Sequence, residues 1–344
     1  PLTGSADFKY AYSKGSQLYL GNDRMTHLTD AKPGQQAFLQ LLSDNTAIYG
    51  IRIDGKIESF DLKGKSLWKY ELNGNISGPS IVAENKLIIP SDSAVTAVDV
   101  HSGKEVWSYR TVNSLKTPIY DTKLKLIIVA ITFNNSSASD SIFCLTSSGT
   151  LQSRCGFSRT RIISNICLCG KARDKVAFGY IERPKEEGGI RALKMAIYSG
   201  VQSGNPVKTS DHTVPYLATN IASNGQFVLA SGFEQMQGNL ESGIDAFNAD
   251  DTTSIWQRRF TQPLDAPVAI SNKFSYFTLS FATAAEVPAK SIFYTLDLST
   301  GKTLGELPIT GVRNGSAAGM PTPLGEREFV LYDIGHPVLY FLKP

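Results

Sequence analysis

Two adjacent acidic pairs, Asp250-Asp251 and Glu186-Glu187, four cysteines and four histidines are the residues of this chain whose types could support catalysis or metal binding. Calcium needs six to eight oxygen ligands, hence several clustered carboxylates and amides. Asp250-Asp251 stands in what reads as a β turn, and Glu186-Glu187 stands among Arg183, Lys185 and Gly188-Gly189, the composition of a solvated charged loop. Cys167 and Cys169 alternate along one face of a strand and cannot readily bridge each other, whereas a bridge from Cys155 to one of them stays open. Cys-x-Cys with no nearby His or further Cys pair is a poor zinc signature. His101 and His336 fall in turns, and the chain has no Gly-x-Ser-x-Gly elbow, no His-Glu-x-x-His and no phosphate-cradling glycine loop. Distant segments could still assemble a triad or a carboxylate pair, but the balance leans away from an enzyme. No catalytic, cofactor or metal residue is assigned.

The elements that would have to position any site are strands. Of the 344 residues, 42% are hydrophobic and 19% charged, enough apolar material for a large core. Lys and Arg (34) nearly balance Asp and Glu (31), so the net charge of +3 carries no strong bias toward nucleic acid or anionic lipid. No run of 18 apolar residues marks a membrane helix. The sequence starts at Pro1 with no visible leader and is expected to be a processed or trimmed chain. Helical periodicity is nearly absent. Pairs of short apolar runs about a polar turn recur instead, clearest in Pro79–Ala83 and Lys86–Ile89 around Glu84-Asn85, and again at 118–129, 219–230 and 267–278, with weaker copies at 8–20, 41–51, 166–178 and 323–332.

A second hairpin follows each pair. Ile57 to Trp68, Val95 to Trp107 and Ile244 to Trp256 each run through a strand, an Asp or Asn, a polar turn and a strand that carries Trp. Ile292 to Gly305 keeps Asp297 and Gly301-Lys302 but has Gly305 where Trp would fall, and looser hairpins at 24–40 and 190–208 complete the series. Third strands are expected to start near 26, 57, 95, 142, 190, 244, 292 and 338, a step of about 31–54 residues that matches propeller blades. The expected fold is all-β: one eight-bladed β-propeller of four-stranded antiparallel blades spanning 1–344, with seven blades as the alternative, closed by pairing 338–343 with N-terminal residues.

Ala97-Val-Asp99, Ser102-Gly-Lys104 and Trp107 resemble the repeat of pyrroloquinoline-quinone-like (PQQ-like) propellers. The resemblance implies that the Trp rings pack between neighbouring blades and that the Asp carboxylates accept bonds from turn N–H groups. The family includes quinone-dependent dehydrogenases, sensor domains and cofactor-free scaffolds. The dehydrogenases imply an Asp base, calcium held by Glu, Asn and Asp, an Arg on the quinone and often a Cys-Cys pair. The present chain has no adjacent Cys pair. Its size is similar to that of the scaffold members of outer-membrane β-barrel assembly. No cofactor is expected, and the expected role is a monomeric scaffold outside the cytoplasm, periplasmic or secreted, with any lipid anchor on a preceding segment. A PQQ- and calcium-dependent sugar or alcohol dehydrogenase and a ligand-sensing or carbohydrate-acting propeller are the alternatives.

The connections between second and third strands direct attention to one face. They are short at Asn22-Asp23, Asp54-Gly55 and Ser91 to Ala94, then lengthen together at Phe133 to Ser141, Glu182 to Gly189, Phe233 to Ser242 and Ala282 to Lys290. Four consecutive long loops on one face would form a protein-partner surface. Its candidate residues are Asn134, Asn135, Arg183, Lys185, Glu186, Phe233, Met236 and Leu240.

Overall fold

The computed structural model describes residues 38–309 apart from 45, 53, 112–113, 133–139, 159, 184–190, 237–238, 265–266 and 282–289, together with the strands inside 2–29 and 322–342. Every regular element among them is a strand, and the strands form eight antiparallel sheets in chain order. Six sheets have four strands; the fourth has five and the eighth three. The four-stranded sheets are the blades of a β-propeller. The chain divides into two compact units, Pro1–Arg154 and Cys155–Pro344.

In the first unit the second sheet shows how sequence sets the layers. Its strands are Phe38–Ser43, Ala47–Arg52, Lys56–Asp61 and Ser66–Glu71. Ala47–Arg52 is buried along its whole length, as a strand covered on both faces must be, whereas Ser66–Glu71 alternates about a buried Trp68. The space between the second and third sheets is packed by Tyr49, Ile51, Ile57, Trp68, Leu87, Ile89 and Val98. Glu84 and Asn85, both at positive φ (48° and 58°), turn Ile81–Ala83 back into Lys86–Pro90, the geometry whose twist matches a two-residue hairpin.

The Asp, Gly and Trp signature closes each sheet onto the next. The Trp68 indole donates to the Val100 carbonyl at 2.7 Å, Trp107 to Ser147 at 3.0 Å and, in the second unit, Trp256 to Leu298 at 2.7 Å. Each indole lies against the turn glycine of the following sheet, so that a Cβ on Gly103, Gly149 or Gly301 would stand 2.6, 2.5 or 2.6 Å from the ring. These glycines also have φ of +69°, +82° and +66°, a region L side chains rarely adopt. Asp99 accepts from the Ser102 hydroxyl and backbone N–H, both at 2.7 Å, and these bonds, the hydroxyl's first, hold its carboxyl below the usual carboxylate range. The expected roles of Trp and Asp are thus met. Gly305, where Trp was missing, has open space around its Cβ direction.

Inner strands are tied by a second device. The Gln40 amide donates to the Ser80 carbonyl at 2.9 Å and accepts the Ser80 N–H at 2.7 Å; in the second unit Asn165 does the same with Ile221, at 2.7 and 2.9 Å. The amide thereby replaces a missing strand neighbour at both backbone groups.

Three expectations need correction. In the first sheet the order is Leu2–Thr3, Tyr10–Lys14, Gln17–Gly21, Met25–Thr29, so the third strand starts at 17 rather than near 26. Asn22-Asp23 consequently separates third and fourth strands, and 24–40 is no hairpin, because Met25–Thr29 and Phe38–Ser43 belong to different sheets. The short apolar run 17–21 is followed by a strand without the Trp that marks the fourth strands at 68, 107 and 256. Second, Leu339–Leu342 pairs with Phe329–Tyr332, and Leu2–Thr3 with Ala11 and Tyr12; a pairing of 338–343 with N-terminal residues is not among the described strands. Third, residues 233–236 and 239–242 are strand rather than loop, for reasons given below.

Candidate functional site

Of the residues expected on the partner face, Asn134, Asn135, Lys185 and Glu186 lie outside the described residues, and Met236 and Leu240 are described as backbone only. The remaining two are Arg183, half-buried just after the strand Lys175–Glu182, and Phe233, 47% exposed.

The strands Phe227–Met236 and Asn239–Asn248 run in register from Phe227↔Asn248 to Met236↔Asn239. Their neighbours stop earlier, Leu217 opposite Phe233 and Phe260 opposite Ser242. Residues 234–236 and 239–241 therefore continue as a two-stranded ribbon beyond the four-stranded sheet. Phe233, Met236 and Leu240 are separated by two or more polar residues and show no period-2 alternation, so Gly238-Asn239 is the one hairpin signal in this stretch of sequence. Gly232 lies at the root of the ribbon because the Leu217 carbonyl and backbone come too close for any Cβ. The Glu234 side chain, buried, accepts from Arg191 at 3.0 Å, so the root is braced against the start of the preceding sheet's third strand. Phe233 is the exposed aromatic beside this brace.

Below the ribbon, on the same strand, sits a buried polar network. Asp245 is fully buried; it accepts from the Tyr216 hydroxyl at 2.5 Å and from Arg259 at 2.9 Å, and the Arg259 guanidinium lies 5.4 Å from the Tyr216 ring centre. Tyr216 also donates toward the Ala230 carbonyl at 2.9 Å. Burial first, then the Asp245 charge, pushes the Tyr216 phenol well above its ordinary range. A hydroxyl so held is a structural donor, unsuited to release a proton near neutrality.

The four cysteines are free thiols, which removes the Cys155 bridge; Cys144, Cys155 and Cys169 are buried. Burial pushes the Cys169 thiol up to about 12 and raises that of Cys155 as well. A thiol is reactive only as the thiolate. Aromatic disulfide reagent at pH 8 is accordingly expected to titrate at most Cys167 in the folded protein and all four thiols in denaturant; two or more native equivalents would contradict this burial.

Asp250 accepts the Lys171 N–H at 3.0 Å and Asp251 caps Thr253 at 3.0 Å, turn roles that match the expectation for this acidic pair. Among the described residues no three His, Cys, Asp or Glu side chains stand close enough to share a metal ion. No helix there is long and apolar enough to cross a membrane. Two cavities open in the first unit. One of about 520 Å³ lies between the second and third sheets beside Tyr70, Thr96 and Arg110, and one of about 420 Å³ lies on the second sheet beside Arg52, Glu58 and Lys69. Neither cavity is marked by a motif in the sequence; residue size at equivalent repeat positions is the signal that points to them.

A family model described as Outer membrane protein assembly factor BamB matches residues 34–151. No curated protein matches in sequence. Among solved structures, BamB from Moraxella catarrhalis superposes with a TM-score of 0.69 at 12% identity, over 100% of this chain and 94% of that one. The propeller fold is shared as widely by Saccharomyces cerevisiae Sqt1, with a TM-score of 0.68 at 9% identity over 100% and 95% of the two chains. A europium-containing methanol dehydrogenase gives 0.60 at 12% identity over 94% and 80%. The chain is thus a β-propeller, and its residues 34–151 match the family model described as outer membrane protein assembly factor BamB.

Proposed function

We propose that the chain acts outside the cytoplasm as a monomeric, cofactor-free scaffold for protein partners in outer-membrane protein assembly, folded as a single propeller domain over 1–344. The family match over 34–151 carries this reading, supported by the likeness in fold to BamB over the whole chain. The partner surface is the face of the lengthened second-to-third connections, which includes Asn134, Asn135, Lys185, Glu186, Met236 and Leu240, with Arg183 following Lys175–Glu182 and Phe233 at the braced ribbon root. An exposed aromatic held on a rigid root suits a binding anchor, because little conformational freedom is lost when it is covered.

The test is complementation of a Gram-negative strain lacking its own assembly propeller, read as the amount of folded outer-membrane β-barrel protein. The chain, exported with a lipoprotein signal, is expected to restore it, and Phe233→Ala to restore it by less than half at equal chain levels. Failure of the correctly folded and exported chain to restore any β-barrel protein would overturn the assembly role. A rise in melting temperature with micromolar PQQ and Ca²⁺ would instead favour the dehydrogenase reading, since a ligand of the folded state alone must stabilise it.

A further inference from the structure

The cavity between the second and third sheets exists because two repeat positions hold small polar residues. Counting back three from the turn residues Asp99, Thr146 and Asp297 gives Thr96, Phe143 and Tyr294. Between the third and fourth sheets Phe143 fills this place, edge-on to Tyr109 at 5.9 Å and covered by Arg154 at 5.0 Å. In the seventh sheet Tyr294 fills it, stacked on Phe277 at 5.2 Å. Tyr70 is the counterpart of Tyr109, since each follows its sheet's Trp by two residues. It faces Thr96 and Ser108, whose hydroxyls lie 3.2 Å apart, instead of Phe143 and Arg154. Strand fanning in a propeller leaves a wedge between outer strands that large side chains must fill. Here it is left as about 520 Å³, the size of a small-ligand site.

The lining states what would fit. Ala94 is its one aliphatic side chain, and the rest are hydroxyls, the Asn73 amide, one carboxylate, one guanidinium and the Tyr70 ring. One Glu105 oxygen already accepts from the Tyr70 hydroxyl at 2.7 Å, which fixes the ring and leaves the other oxygen for a donor. Arg110 is exposed on the wall and makes no ion pair among the described residues. A lone guanidinium matches a carboxylate with two parallel bonds. A phosphate dianion would call for more than one cation and would meet the charge of Glu105. Hydroxyl-bearing ligands suit the remaining donors and acceptors, and a sugar ring presents C–H groups to a tyrosine face.

We propose that this cleft binds a small sugar acid, its carboxylate on Arg110, its hydroxyls on Asn73, Ser108 and Glu105, and one ring face on Tyr70. The proposal rests on the lining of this cleft and not on the partner-face reading. The experiment is calorimetric titration of the full chain with D-galacturonate, with D-galactose, acetate and a neutral dipeptide zwitterion as controls. Galacturonate is expected to bind, and each control at least tenfold more weakly. Arg110→Ala is expected to weaken galacturonate at least tenfold by removing the charge-assisted bonds. Thr96→Phe, which installs the residue the next sheet uses at this place, is expected to abolish binding; if that variant does not fold, Ser108→Arg, again the next sheet's residue, closes the cleft from the other strand. No heat at millimolar galacturonate, equal binding of galactose or the dipeptide, or unchanged binding by the folded, filled variant would each overturn the proposal.

Discussion

Replacing Trp68 by alanine is expected to lower stability by about 3–5 kcal/mol, the cost of removing a large buried ring from a packed interior. The ring is 9% exposed, its N–H donates to Val100, and it stacks on Tyr49 at a centroid distance of 6.0 Å. Trp256→Ala should cost as much, because its burial and its bond to Leu298 are the same. The glycine under each ring provides the sharper test. Gly103→Ala puts a methyl 2.6 Å from the Trp68 ring at φ +69°, so it combines a collision with about 1–2 kcal/mol of backbone strain. In the Trp68→Ala background the collision disappears and only the strain remains. Urea unfolding of the four proteins should therefore give a coupling of at least about 1 kcal/mol. Additive costs would mean that the ring does not rest on the glycine.

Asp245→Ala is expected to cost about 1–3 kcal/mol, because it leaves the buried Tyr216 hydroxyl without its carboxylate acceptor, while Arg259, exposed on its strand, returns to water. Asp245 is fully buried and accepts from both at 2.5–2.9 Å. Tyr216→Phe removes one donor and keeps the ion pair, and should cost about 1–3 kcal/mol. The double variant Asp245→Ala/Arg259→Ala should cost clearly less than the sum of its single changes, since Arg259→Ala alone leaves the buried Asp245 carboxylate without its cation and the double variant does not. Urea unfolding of the wild type, the two single variants and the double variant checks this, and a double variant as costly as the sum would show that the pair is not coupled. The network also bears on the partner face. Asp245 belongs to the strand that forms the ribbon, so the Asp245→Ala variant should lose the Phe233-dependent complementation even at temperatures where it stays folded.

What could be read along the chain was what is encoded locally. The Asp, Gly and Trp marks announced third and fourth strands at 57–68 and 95–107, and Asn248 with Trp256 those at 244–256, because Asp99 and its equivalents cap turns two to four residues away and turn glycines take a left-handed φ on their own account. Where the Trp was missing the register slipped, as in the first sheet, where Met25–Thr29 follows strand 17–21 without one. The ribbon at 233–242 was misjudged for a related reason. Hairpin length is set by where the neighbouring strands stop, and Leu217 and Phe260 lie 16 and 18 residues from their partners Phe233 and Ser242.

Residue types and spacing by themselves determined an all-β propeller built of repeated antiparallel units, with its tryptophans and aspartates in structural roles. Tertiary structure alone decided what the surfaces offer. The cleft arises because Thr96 and Ser108 meet Tyr70 across two sheets where Phe143 and Arg154 meet Tyr109 across the next two. Asp245 becomes a buried network only when Tyr216 and Arg259 arrive from 29 and 14 residues away. Turn chemistry acts over a few residues and is written in order, whereas the volume between sheets depends on side chains brought together from separate repeats.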